Sequence, residues 1–113
     1  MVGKYIPKQG DIAYADFSPT KGHEHFGKRP CIIISTNLFN KNTKMVIACP
    51  ITSNEKFFPT HYTLTSTKKI HGAVLCEHIR SIDYENRNLK YIEKCDEDDL
   101  ISVLMLTSAC IEE

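Results

Sequence analysis

The chain has 113 residues, 42% hydrophobic and 25% charged, a composition that supports a packed core and excludes a disordered polymer. Lysine plus arginine equals aspartate plus glutamate, 14 against 14, so bulk electrostatic binding to duplex DNA is excluded while a small basic groove is not. This length predicts a single domain over 1–113 with residues 1–9 loose, and the lack of a long apolar run or signal-peptide core points to the cytoplasm, away from a membrane.

Five cysteines (Cys31, Cys49, Cys76, Cys95, Cys110) form an odd, widely spaced set without a C-x-x-C pair. They are expected to be buried, reduced, small hydrophobes, since a zinc site needs close ligand pairs. No metal and no cofactor is expected.

Taken in order, Pro7 discourages regular structure at the start. From Gly10, the run G-D-I-A-Y-A-D-F sets Ile12, Tyr14 and Asp16 on one face and Ala13, Ala15 and Phe17 on the other, which predicts a strand. Ser18-Pro19 ends it and opens a polar loop, residues 20–30, T-K-G-H-E-H-F-G-K-R-P. Residues 30–36 and 45–52 are nearly continuous β-branched runs, as in strands buried on both faces. Pro50 marks a bulge or an edge in the second of these. Between them, residues 37–44 predict one helical turn with Asn37 as cap.

Residues 53–59 form a loop with an exposed Phe57-Phe58 pair, residues 60–66 alternate again, and residues 68–72 turn. Residues 73–76 and 79–82 look like halves of one strand bent near Glu77-His78. Residues 86–88 turn and residues 89–94 make the last strand. The acidic run Asp96, Glu97, Asp98, Asp99 opens a helix with negative charge at its positive dipole end. Residues 100–111 continue it with apolar groups on more than one side, which predicts burial against both the sheet and a second copy of the chain. Six or seven short strands and a terminal helix give a mainly β (α+β) architecture, a compact curled barrel.

Two arginines suit phosphate oxygens: Arg29, anchored beside Pro30, and Arg80, in the bent strand. A salt bridge to Glu24, Glu77 or Asp83 is the plainer role for either. Thr52 ends a buried strand, where its hydroxyl reaches a cleft or simply serves as a β-branched strand residue. Glu24 is a base or a solvated acid. Among His23, His25, His61, His71 and His78, the spacing selects no acid–base pair. With no H-E-x-x-H, G-x-S-x-G or Walker sequence, metalloprotease, serine hydrolase and NTPase chemistries are excluded.

The stretch G-D-I-A-Y-A-D-F-S-P-T-K-G-H-E-H-F-G-K-R-P-C-I-I-I-S resembles the N-terminal signature of the MazF/PemK (Kid) toxins, E-x-x-G-x-R-P included. C-P-I-T-S is similar to that family's P-[IL]-T-[ST] segment, and G-A-V-L-C-E-H-I-R-S-I-D to its third block, so the resemblance runs from Gly10 to about Ile111. It departs where the family often has D-Q-[IV]-[RK] and this chain has Glu77-His78-Ile79-Arg80. The resemblance implies an SH3-like, PemK/CcdB-like barrel with a C-terminal helix, a homodimer, and a metal-independent endoribonuclease acting on single-stranded RNA. It also implies a MazE-like antitoxin as partner. Carried over by motif, Arg29, Thr52 and Glu24 are the catalytic candidates. Lys21, His23, His25, Lys28, Ser53, Phe57 and Arg80 are the candidates for substrate binding, with the turn at residues 68–71 as an outer wall. Two other classes compete: a non-catalytic CcdB-like inhibitor of DNA gyrase, and an SH3-like interaction module. Gyrase binding does not require Glu24, Arg29 and Thr52, so their presence favours the nuclease.

Overall fold

The computed structural model describes residues 4–16, 28–54 and 56–113. In chain order the elements are β1 (Asp11–Asp16), β2 (Lys28–Ile33), α1 (Asn37–Thr43), β3 (Met45–Thr52), β4 (His61–Thr63), β5 (Ala73–Leu75), β6 (Arg80–Asp83), β7 (Lys90–Lys94) and α2 (Glu97–Ala109). The strands form a seven-stranded sheet in the order β4-β5-β3-β2-β1-β7, with β6 also on β3. Every pairing is antiparallel.

β3 is the spine. One edge pairs with β2; the other pairs with β6 over Met45–Ala48 and with β5 over Ile51 and Thr52. Pro50 lies where the second edge changes partner, a place that needs no N–H from it. The bend expected near Glu77-His78 is the break between β5 and β6, which meet different halves of β3.

Alternation in the strands divides the core. Ala13, Ala15, Cys31, Ile33, Val46 and Ala48 pack with Ile82, Tyr84 and Leu89. Ile12, Ile32, Cys49, Ile51 and Val74 pack on the other side with Val103 of α2. Consecutive residues of β2 therefore enter both clusters, which is why its sequence is continuously apolar. Cys31, Cys49, Cys76 and Cys95 are buried free thiols, whereas Cys110 is exposed. Burial pushes Cys31, Cys49 and Cys76 up to about 12, so these thiols stay protonated at neutral pH.

Three local expectations change. Residues 4–9 lack regular structure, yet they are fastened: Asp11 accepts from Tyr5 Oη (2.6 Å) and the Lys8 N–H (2.9 Å), and Asn40 Nδ2 donates to the Pro7 carbonyl (2.9 Å). α1 runs for 7 residues, and its cap is Thr36, whose hydroxyl accepts from the Phe39 N–H; Asn37 instead accepts from the Gln9 N–H. The strand expected over residues 60–66 stops at Thr63, because Thr65 and Ser66 turn to donate to the buried Asp99 carboxylate. α2 starts as expected, with Asp96 as its cap accepting from the Asp99 N–H. Among the described residues, no helix is long and apolar enough to cross a membrane.

Candidate active site

Two neighbouring strands carry the site. The register that pairs Cys31 with Pro50 and Ile32 with Cys49, continued toward the end of the sheet, brings Arg29 level with Thr52. Arg29 is also tied on its other side, opposite Ala15 of β1. Both residues line a cleft of about 560 Å³, along with Lys28 and Ser53 from the same strand ends and Lys69, Ile70 and His71 from the turn before β5. Of the turn expected as an outer wall, residues 68–71, it is Lys69, Ile70 and His71 that line this volume. Cationic groups, imidazole and hydroxyl meet around one open volume, an arrangement that suits a phosphodiester.

Glycine fixes how closely that turn approaches. Gly72 has φ 142, and a Cβ built on it would lie 2.1 Å from the Thr52 carbonyl oxygen. Only a residue without a side chain lets the turn rest on the backbone of Thr52.

A second, smaller cleft of about 310 Å³ shares Thr52 and is lined by Phe57, Phe58, His61, Glu77 and His78. Glu77 is its centre: Thr60 Oγ1 donates to it at 2.6 Å, His61 Nε2 lies 2.9 Å from it, and His78 Nε2 lies 3.5 Å away. Burial pushes the Glu77 carboxyl up, but the contacts from Thr60 and His61 outweigh it and leave it below the ordinary glutamate range. Sequence reasoning offered Glu77 only as a salt-bridge partner for an arginine and selected no role for His78. The Pro59-Thr60-His61 segment and Glu77 come together only through the β4–β5 pairing.

Of the other candidates, Phe57 is exposed at the rim of the second cleft. Arg80 begins β6, opposite Ala48 of β3. Glu24, Lys21, His23 and His25 lie outside the described residues. Among the described residues no group of three or more His, Cys, Asp or Glu side chains is placed to hold a metal ion.

The molecule is thus a small antiparallel β protein with one terminal helix and a basic, hydroxyl-bearing cleft at the ends of two central strands. Residues 8–106 match the PemK-like, MazF-like toxins of type II toxin–antitoxin systems, and the chain belongs to that family. It is 34% identical over 87 residues to the endoribonuclease toxin MazF of Escherichia coli K12, covering 77% of this chain and 78% of the relative. It is 30% identical over 114 residues to the endoribonuclease EndoA of Bacillus subtilis, covering 95% and 98%. Crystalline MazF from Deinococcus radiodurans superposes with a TM-score of 0.82 at 32% identity, covering 94% of this chain and 96% of that one, which makes the fold PemK/CcdB-like. The MazE–MazF complex from the same organism gives 0.84 at 30% identity, covering 93% and 95%.

Proposed function

We propose that this chain is the toxin of a type II toxin–antitoxin module and acts as a sequence-specific, metal-independent endoribonuclease on single-stranded RNA. The observation that carries this reading is the meeting of Arg29 and Thr52 in one cleft with Lys28 and the Lys69–His71 wall. The substrate's own 2′-hydroxyl supplies the nucleophile, which accounts for RNA over DNA. Its oxygen forms a bond to phosphorus as its proton leaves. The phosphorus–O5′ bond then breaks and the departing oxygen takes up a proton, giving a 2′,3′-cyclic phosphate and a 5′-hydroxyl. Arg29 stabilises the charge that develops on the phosphorane, and the Thr52 hydroxyl donates to a non-bridging oxygen. A guanidinium holds its proton too tightly to act as the base, so Glu24 or a histidine moves protons.

Two features support the assembly. The outward face of α2 carries exposed apolar groups suited to a second copy of the chain. MazE–MazF complexes among the structural relatives support a MazE-like antitoxin as partner. The buried free thiols suit a reducing compartment such as the cytoplasm. The gyrase-inhibitor alternative draws nothing from the matched relatives, whose names are those of endoribonucleases.

The test is incubation of the purified chain with a long single-stranded RNA in EDTA. Discrete cuts ending in cyclic phosphate are expected, with kcat lowered about 10²–10³-fold in Arg29→Ala, the scale of losing one transition-state donor. Intact RNA across diverse sequences, together with inhibition of gyrase, overturns the proposal.

A further inference from the structure

The wall of the cleft opposite Arg29 is a turn, and a turn has no strand partner to satisfy its backbone donors. In this chain a residue far away in sequence does so. Glu93, on β7, accepts from the N–H groups of Lys68 (2.9 Å), Lys69 (2.9 Å) and Ile70 (2.8 Å). Three successive amides converging on one point form an anion-binding concavity, filled here by the chain's own carboxylate. Burial pushes the Glu93 carboxyl up, but these amides outweigh it and hold it below the ordinary glutamate range. Thr67 Oγ1 closes the turn by donating to the Ile70 carbonyl. At the far end, Gly72 rests against the Thr52 backbone and its carbonyl accepts from the Leu64 N–H at 2.9 Å.

The turn is thus fastened at both ends, and between the fastenings it delivers Lys69 and His71 to the cleft. An exposed lysine carries much rotamer entropy, so a rigid backbone beneath it lowers the cost of ordering the side chain on a ligand. We propose that Glu93 is a positioning residue for RNA: by holding the backbone of residues 68–70 it sets Lys69 and His71 to bind a phosphate flanking the one held by Arg29 and Thr52. This rests on the endoribonuclease reading and adds to it a second phosphate subsite with its support. Glu93 touches no substrate; it acts through the turn.

Glu93→Gln keeps the size, removes the charge and leaves a single accepting oxygen for three donors. With a fluorescein-labelled single-stranded oligoribonucleotide, KM is expected to rise about three- to tenfold, the scale of weakening one charge-assisted hydrogen bond, while kcat changes less than about twofold. Losing one phosphate contact also flattens the dependence of log affinity on log salt by about 0.7. In a Lys69→Ala/His71→Ala background the same substitution is expected to leave KM unaltered, because the side chains it positions are gone. An unchanged KM in Glu93→Gln, or an equal rise in that background, overturns the proposal. If Glu93→Gln does not fold, Glu93→Asp keeps the charge one methylene short and is judged by the same two outcomes. A wild-type chain that cuts no RNA removes the nuclease reading instead, and the fluorescence anisotropy of the same oligonucleotide, with the same affinity ratios, then decides the subsite.

Discussion

Phe57 is 85% exposed, an unusual position for a large aromatic side chain unless something covers it in use. It stands at the mouth of the cleft that shares Thr52, and behind it Phe58 lies 5.1 Å from the His61 ring. A side chain so exposed contributes little to the core, so Phe57→Ala is expected to move folding stability by no more than about 0.5 kcal/mol. Base stacking on an aromatic contributes about 1–3 kcal/mol, so the same substitution is expected to weaken single-stranded RNA binding by about fivefold or more. Thermal melts and anisotropy titrations measure the two effects separately, and unchanged RNA affinity removes the stacking role. The exposure of Phe57 was legible, because F-F interrupts a polar loop. The roles of Glu77 and Glu93 were not: one carboxylate is met by Thr60 and His61, the other by a turn of distant backbone, and neither partner lies near in sequence.

Asp99 ties the first turn of α2 to β4 and the turn that follows it. The acidic run that opens the helix looks uniformly solvated in sequence, yet Asp99 is fully buried. It accepts from Tyr62 Oη (2.6 Å), Thr65 Oγ1 (2.8 Å), Ser66 Oγ (2.6 Å) and two backbone N–H groups. Burial pushes its carboxyl up, but these bonds outweigh it and hold it at about 2 against an ordinary 3.8. A folded-state value below the unfolded one stabilises the fold above pH about 4, and that contribution, about 2 kcal/mol, is lost as pH falls toward 2. Urea midpoints from pH 5 to pH 2 are expected to show this loss in the wild type. Asp99→Asn is expected to be less stable at pH 7, by about 1–3 kcal/mol for the unmet donors, and to show a flatter acid limb. Equal slopes would remove Asp99 as the acid-sensitive tie. The elements themselves were legible where periodicity had one meaning: alternation for β1, continuous apolar runs for β2 and β3. β4 came out short because Thr65 and Ser66, fit for a strand by type, donate to Asp99 instead. The meeting of Arg29 with Thr52 depends on the β2–β3 register, which no local pattern specifies; the family motifs supplied it.

At the scale of the whole molecule, α2 turns two faces to different surroundings. Val103 and Thr107 are buried against the sheet, while Ile101 is 48% and Met105 67% exposed. With Leu104 and Ala109, these exposed residues line a shallow apolar depression. That is the two-sided helix the sequence predicts, with the inner side accounted for by Val103 and the outer side exposed at Ile101 and Met105. The acidic residues of α2 gather in its first turn, and Glu112 and Glu113 line the depression past the helix's other end, so the apolar stretch around Ile101, Leu104 and Met105 lies between two acidic borders and is the part on which two copies can close. A symmetric pair repeats the same patch on both partners, which makes one substitution act twice. Sedimentation equilibrium is therefore expected to give twice the chain mass for the wild type and a shift to the single-chain mass for Met105→Glu, with unchanged far-UV circular dichroism. Because Met105 is exposed in the single chain, Met105→Glu leaves the inner face intact, and stability that depends on protein concentration in the wild type should become independent of it in the variant. A Met105→Glu chain that still sediments as a pair would place the contact between copies elsewhere. A wild type that runs as a single chain until an antitoxin segment is added would give this face to the antitoxin.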